Sequence, residues 1–304
     1  MGARTQRALD RAAVAAGALG GDRARYFRRR IDGPSWDEQL DLAAPGAAGL
    51  EAEQPAPVTV ETLVGPLTAH VWRAHDAGAG APVLITHHGS GERPFELGRR
   101  AKNTLNRALL ASPPPATVVA VRAPLHEGSL RRYAAAIGDL AAWMALLAAS
   151  AATIEAVVRA ARAATPSRAT LVTGFSLGGW VAGLHRAAWG SADCYAPLCA
   201  GAHLGRQMVD STYARMVSRR ALADPDALRA RLDFAEAFAA GGGRLAPLLA
   251  RYDQYARPQD QLEGFGDAPV RLLDLGHVGT ALTGGSLLRA HVLTQAAALK
   301  RERG

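Results

Sequence analysis

Ser176 stands at the centre of Gly174-Phe175-Ser176-Leu177-Gly178, a GxSxG pattern between an apolar run at 170–173 and an apolar helical pattern at 177–189. A strand that turns abruptly into a helix brings neighbouring backbones close, and glycine leaves room there. Such a turn lifts the serine hydroxyl out of the sheet. It also sets the hydroxyl near a helix N-terminus, where free N–H groups and the helix dipole favour developing negative charge. The chemistry this suits is nucleophilic attack, which needs a base for the hydroxyl and a carboxylate to orient the base. His277, in Leu275-Gly276-His277-Val278-Gly279, is expected in a loop after the last expected strand, at the strand end where sheets of this kind assemble sites. For the acid we select Asp253, just beyond an expected strand at 245–251, over Asp274 and over Asp260, which reads better as a first-turn residue of the following helix. The plainer alternatives are a serine that caps its helix and a histidine bonded to a nearby carbonyl.

A second loop, His87-His88-Gly89-Ser90-Gly91-Glu92, follows an early expected strand. A glycine-bearing loop there can aim a backbone N–H at the same point as the N–H of Leu177, giving two donors for an oxyanion. No metal is expected, since there is no HExxH and no second histidine/carboxylate cluster with ligand spacing. Arg93 could bind a carboxylate on a substrate, or simply pair with Glu92 or Glu96. Trp180 and Tyr213 could line a pocket, although Trp180, on the helix behind the serine, reads first as a core residue.

The elements that must carry these residues follow from hydrophobic periodicity. Residues 1–42 read as helical and 43–57, rich in Ala, Gly, Pro and Glu, as a linker, so 1–57 form an N-terminal helical extension. From 58 onward the texture changes: two β-like runs, 58–64 and 67–73, flank Gly65-Pro66. Short apolar strands at 83–86, 117–122, 170–173, 193–198, 245–251 and 270–273 then alternate with helical patterns at 96–111, 130–164, 177–189 and 286–301. That alternation predicts the α/β class, with a mostly parallel sheet covered by helices on both faces. Two helical patterns, 203–220 and 225–240, interrupt it and read as an insertion over about 200–243, the second capped by Asp224 with Pro225 at its first position.

With 304 residues, 49% of them hydrophobic and 20% charged, the chain can bury a sizeable core. Its net charge of +8 carries little weight as evidence of a partner, because only Lys102 and Lys300 among 35 basic residues are lysines, a bias toward arginine codons. The densest basic run, 23–30, is interrupted by Tyr26 and Phe27 as an amphipathic surface helix would be, so nucleic acid is not an expected partner. Cys194 and Cys199 lie too close together to staple distant parts of the chain, which fits a reduced, cytoplasmic protein. No signal-type run opens the sequence, and the longest uncharged apolar stretch, 140–154, is too short to span a bilayer.

The elbow Gly174-Phe175-Ser176-Leu177-Gly178, the His88-Gly89 loop and the order Ser176, Asp253, His277 resemble the α/β-hydrolase fold superfamily, from about residue 58 to the C-terminus. The resemblance implies Ser176 as nucleophile, His277 as base and Asp253 as its orienter. It implies the N–H groups of Leu177 and Ser90 as oxyanion hole and the insertion at 200–243 as a helical cap, and beside these we expect His88 and Arg93 as substrate contacts. It further implies a serine hydrolase of the carboxylesterase type, acting on a small-molecule ester without a cofactor. Acyl transfer or amide hydrolysis by the same residues is the alternative, with a non-catalytic binding protein on the same scaffold behind both. A homo-oligomer is compatible with all of these readings.

Overall fold

The computed structural model describes residues 2–303 apart from 20, 22–24, 51, 52, 99, 128 and 129. Strands β1 (Ala56–Val60), β2 (Leu67–His75), β3 (Val83–His87), β4 (Thr117–Arg122), β5 (Thr170–Phe175), β6 (Cys194–Leu198), β7 (Arg244–Leu245), β8 (Leu248–Ala250) and β9 (Arg271–Leu273) form one sheet. Its order is β1-β2-β4-β3-β5-β6-β8-β9, with β7 also paired to β6. The pairs β1/β2 and β2/β4 are antiparallel and all others parallel. Every residue of β3 and β5 is buried, as befits central strands covered on both faces. Both end at the same edge, where Ser176 and the His88-Gly89 loop emerge side by side.

Helices α1 (Ala3–Ala18), α2 (Trp36–Leu42), α3 (Leu105–Leu109), α4 (Leu130–Ala136), α5 (Leu140–Ala164) and α6 (Leu177–Ala188) precede β6. After it come α7 (Leu204–Asp210), α8 (Pro225–Leu232), α9 (Ala235–Ala240), α10 (Pro258–Gln261), α11 (His277–Thr283) and α12 (Gly285–Arg303). One core cluster holds α5 and α6 against one face of the sheet, and a second holds α3 and α12 against the other. Helix α5 runs on beyond the uncharged stretch to 25 residues, long and apolar enough to cross a membrane, but 89% of its most apolar segment is buried inside the protein. It is the central core helix, apolar around most of its circumference because sheet and helices surround it.

Several expected elements are shorter than their patterns, each for a local reason. The helix expected over 96–111 is reduced to α3, because the Asn103 amide donates to the carbonyls of Pro94 and Glu96 at 2.8 and 3.0 Å and holds the preceding chain as coil. The pattern over 130–164 breaks at Gly138, where Arg28 fills the space of a side chain, and Asp139 caps α5 through Ala142 N–H. Pro247 has no N–H to give, so the strand expected over 245–251 is split into β7 and β8. In the insertion, Ser211 ends α7 and only 3₁₀ turns, Thr212–Met216 and Ala221–Ala223, follow. Asp233 ends α8 by accepting from Gly205 N–H at 2.6 Å, while Asp224 caps its start as the sequence suggests.

The basic run is not a helix over its described part, Arg23 and Ala24 lying outside the described residues. Tyr26 and Phe27 are buried, and their backbones bond to Met216, Ser218 and Ile137, wedging this segment between the insertion and the α4–α5 corner. Its aromatic residues are core rather than the apolar side of a surface helix.

Candidate active site

The turn from β5 into α6 places Ser176 at φ 54°, ψ −113°, a conformation that side chains disfavour and that the surroundings must enforce. The glycines make that possible. A Cβ on Gly174 would lie 2.4 Å from the Gly178 backbone, and one on Gly178 would lie 2.3 Å from the carbonyl oxygen of His87. Any side chain at either position would push strand, elbow and neighbouring loop apart.

His277 is the first residue of α11, not a loop residue, and it comes to the serine from the far end of the chain. Its Nε2 lies 2.9 Å from Ser176 Oγ and its Nδ1 2.7 Å from Asp253 Oδ2. Because the carboxylate can only accept, Nδ1 carries the proton and the lone pair of Nε2 faces the hydroxyl. The other carboxylate oxygen, Oδ1, accepts from the N–H groups of Tyr255 and Ala256 at 2.7 and 3.0 Å, so the acid is fully bonded although buried. Burial works against a charge on His277, but the adjoining Asp253 carboxylate outweighs it and holds the imidazole above the ordinary histidine range. The rings of Tyr255 and Phe175 pack against the imidazole at 4.5 and 5.2 Å between centroids and keep it facing the serine. The other acids are engaged elsewhere: Asp260 with Arg257, and Asp274 with Arg251 at 2.7 Å.

Leu177 and Ser90 line the same cavity as Ser176. As the first residue of α6, Leu177 has no carbonyl within its helix to receive its N–H. In the loop after β3, the N–H of Gly89 is committed to Glu92 Oε2 at 2.8 Å, and the next N–H along the loop is that of Ser90. Glu92 also accepts from the N–H of Thr104 at 2.9 Å and from its hydroxyl, and so ties the loop to the start of α3. Ser90 Oγ lies 2.6 Å from the Tyr133 hydroxyl, which continues to Tyr26 at 3.3 Å and from there to Tyr213 at 3.0 Å. Burial pushes all three phenols up, so this wall is uncharged.

His88 and Arg93 do not reach the cavity. His88 is buried with both ring nitrogens engaged: Nε2 accepts from Ala123 N–H at 3.0 Å, so Nδ1 carries the proton and donates to the Gly89 carbonyl at 2.7 Å. It clamps the His88-Gly89 loop to the end of β4. Arg93 is exposed and pairs with Glu96 at 3.0 Å, leaving Glu92 to the loop. Trp180 and Tyr213 do line the cavity.

That cavity measures about 340 Å³ and is walled mainly by aromatic and aliphatic side chains, among them Trp143, Trp180, Leu204, Met208 and Tyr213. A larger open groove of about 1250 Å³ between α2, α8 and α9 contains none of Ser176, Asp253 and His277. Cys199 joins Asp253 and His277 in a cluster whose possible ligand atoms lie within 4.8 Å of one another. Both ring nitrogens are already bonded to Asp253 and Ser176, and burial pushes the thiol up, away from the thiolate a metal would need.

No protein-family model and no curated protein matches the sequence. Among solved structures, the Pyrococcus horikoshii acylaminoacyl peptidase superposes with a TM-score of 0.54 at 12% identity, over 82% of this chain and 41% of that one. The Pyrococcus furiosus esterase Pf2001 superposes with a TM-score of 0.54 at 16% identity, over 86% of this chain and 99% of that one. This chain has the α/β-hydrolase fold. A puromycin-hydrolyzing peptidase of Mycobacterium tuberculosis shares the α/β-hydrolase fold with a TM-score of 0.52 at 15% identity, over 82% of this chain and 40% of that one. The matched region thus spans about two fifths of each peptidase and nearly all of the esterase.

Sequence reasoning missed Tyr26, Tyr133, Glu92 and, above all, Gln6 and Asp10 of α1. Gln6, Asp10 and Val14 are the buried residues of that helix and are spaced four apart. A polar pair on the same face as a buried valine is the signal that could have found them.

Proposed function

We propose that this protein is a serine hydrolase that cleaves small-molecule carboxylic esters with an uncharged, apolar acyl group. The observation that carries the reading is the unbroken relay from Ser176 Oγ through His277 to Asp253, at 2.9 and 2.7 Å, opening onto the apolar cavity. In this reading His277 takes the hydroxyl proton as Ser176 Oγ attacks the ester carbonyl, and the N–H groups of Leu177 and Ser90 receive the developing oxyanion. The imidazolium then returns the proton to the leaving alkoxide, and an acyl-enzyme remains. Water, deprotonated by His277, attacks that acyl group, and the acid and Ser176 are released. Asp253 holds the tautomer and stabilises the imidazolium without taking the proton.

The acyl preference rests on the cavity walls. No lysine or arginine lines the cavity among the described residues, and its one carboxylate, Glu92, is bonded to Gly89 and Thr104. A charged acyl group would therefore lose its hydration without gaining a partner. Each buried methylene contributes about 0.8 kcal/mol, so kcat/KM on p-nitrophenyl esters should rise about fourfold per added methylene until the cavity is full. Succinyl esters should be poor substrates. Ser176→Ala should abolish both turnover and fluorophosphonate labelling, and labelling that persisted in this variant would assign the nucleophile elsewhere. Amide hydrolysis by the same residues is the second reading, favoured by the two peptidases among the structural neighbours. Matched p-nitroanilides and p-nitrophenyl esters distinguish the two.

A further inference from the structure

The N-terminal helix places a second carboxylate against the backbone of His277. Asp10 is completely buried, and no lysine or arginine neutralises it among the hydrogen bonds and ion pairs of the described residues. Its Oδ2 accepts from the backbone N–H of His277 at 3.0 Å and of Gln254 at 2.9 Å, and its Oδ1 accepts from Val278 N–H at 2.9 Å. One turn earlier, the buried Gln6 accepts from Gly276 N–H through Oε1 at 2.9 Å. Three consecutive N–H groups, those of Gly276, His277 and Val278, are thus taken by α1, and the same carboxylate reaches the residue after Asp253.

The partners fit closely. A Cβ on Gly279 would come within 2.0 Å of Gln6 Oε1, and one on Gly276 within 3.0 Å of both Asp10 oxygens. The glycines that flank His277 therefore make room for the two polar side chains of α1. Both oxygens of Asp10 act as acceptors, so an amide at this position, with one acceptor oxygen and one donor nitrogen, would leave part of the three N–H groups unmatched. A buried carboxylate costs more to desolvate and is sustained by three N–H donors.

We propose that Asp10, assisted by Gln6, is a positioning residue for His277, fixing the segments that carry the base and its acid and stabilising the imidazolium formed during attack. This rests on the serine-hydrolase reading above. The titratable groups that face His277 are Asp253, Tyr255, Glu92, Cys199 and Asp10. Of these, only Asp10 comes from outside the sheet domain expected from the sequence.

The test compares wild type, Asp10→Asn and Gln6→Ala by fluorophosphonate labelling rate across pH, with His277 ring titration by NMR on the same proteins. Asp10→Asn keeps the shape, removes the charge and turns one acceptor into a donor, so the rate reads positioning and the pH limb reads the charge. It should slow labelling by about tenfold to a hundredfold, the scale of a small misplacement at a reacting centre. Losing a negative neighbour lowers the pH at which His277 protonates, so its acid limb and its NMR titration should both move to lower pH. Gln6→Ala should slow labelling by about tenfold and leave the limb in place. A slower Asp10→Asn with an unmoved limb would reduce Asp10 to packing and overturn the proposal, as would a folded Asp10→Asn at the wild-type rate. Should Asp10→Asn fail to fold, Gln6→Ala decides, and a rate within about twofold of wild type overturns the proposal. Were wild type itself not to label, the hydrolase reading would fall, while the NMR titration of His277 would still show whether Asp10 acts on the imidazole.

Discussion

His277 carries the most consequential electrostatics of any single residue here. It is buried, yet the Asp253 carboxylate favours its charged form enough to raise it above the ordinary value of 6.5. In the proposed mechanism it acts as the base and must be neutral, so activity should fall as pH drops through the raised value. We expect the acid limb of kcat/KM to lie above pH 6.5, read from a profile on a neutral p-nitrophenyl ester. Asp253→Asn should move that limb down and cut the rate by several orders of magnitude, because the amide can set the wrong tautomer at the imidazole. A limb that stayed put would mean that another group governs the titration.

Among the elements, the β5–α6 elbow and the loop after β3 are built as a pair. A side chain on Gly178 would run into the carbonyl of His87, and His88 in turn holds the carbonyl of Gly89. A methyl group at position 178 cannot be absorbed by a flexible side chain, since backbone lies opposite it. Gly178→Ala should therefore cost about 1–3 kcal/mol, the usual range for overpacking, seen as a lower Tm. Because strain there also displaces the Ser90 N–H, labelling should slow by about tenfold in the protein that still folds. A variant with a lower Tm and a wild-type labelling rate would separate the loop's position from the oxyanion chemistry.

For the molecule as a whole, stability centres on α5, whose side chains reach the sheet on one side and α6 on another. Leu147, at 1% exposure, lies in the middle of that core. Leu147→Ala should cost about 2–5 kcal/mol in urea unfolding, from lost burial plus the cavity left behind. The labelling rate of its folded population should match wild type, since the leucine does not line the cavity that holds Ser176 and His277. Unequal rates would show that the core transmits strain to the sheet edge.

How much of this could be read beforehand follows from how far each interaction reaches along the chain. The elbow is local: five residues with glycine at both ends specify a backbone turn, so Ser176 and its strand-turn-helix setting are legible in the linear pattern. Asp253 and His277 are legible too, since each follows an apolar run that reads as a strand, and strands of a parallel sheet deliver their C-terminal ends to one edge. Helix ends were harder to read, because Asn103, Asp233 and Ser211 divert the backbone through contacts that periodicity does not encode. The role of α1 lay further out of reach. Asp10 meets its three N–H partners 244 to 268 residues along the chain, and only the packing of that helix against α11 brings them together. Sequence determined the chemical groups and the class of sheet that carries them. The tertiary structure decided that His88 and Arg93 stay out of the cavity and that a buried carboxylate from the first helix holds the backbone of His277, because burial and hydrogen-bond partnership exist only once distant segments are packed.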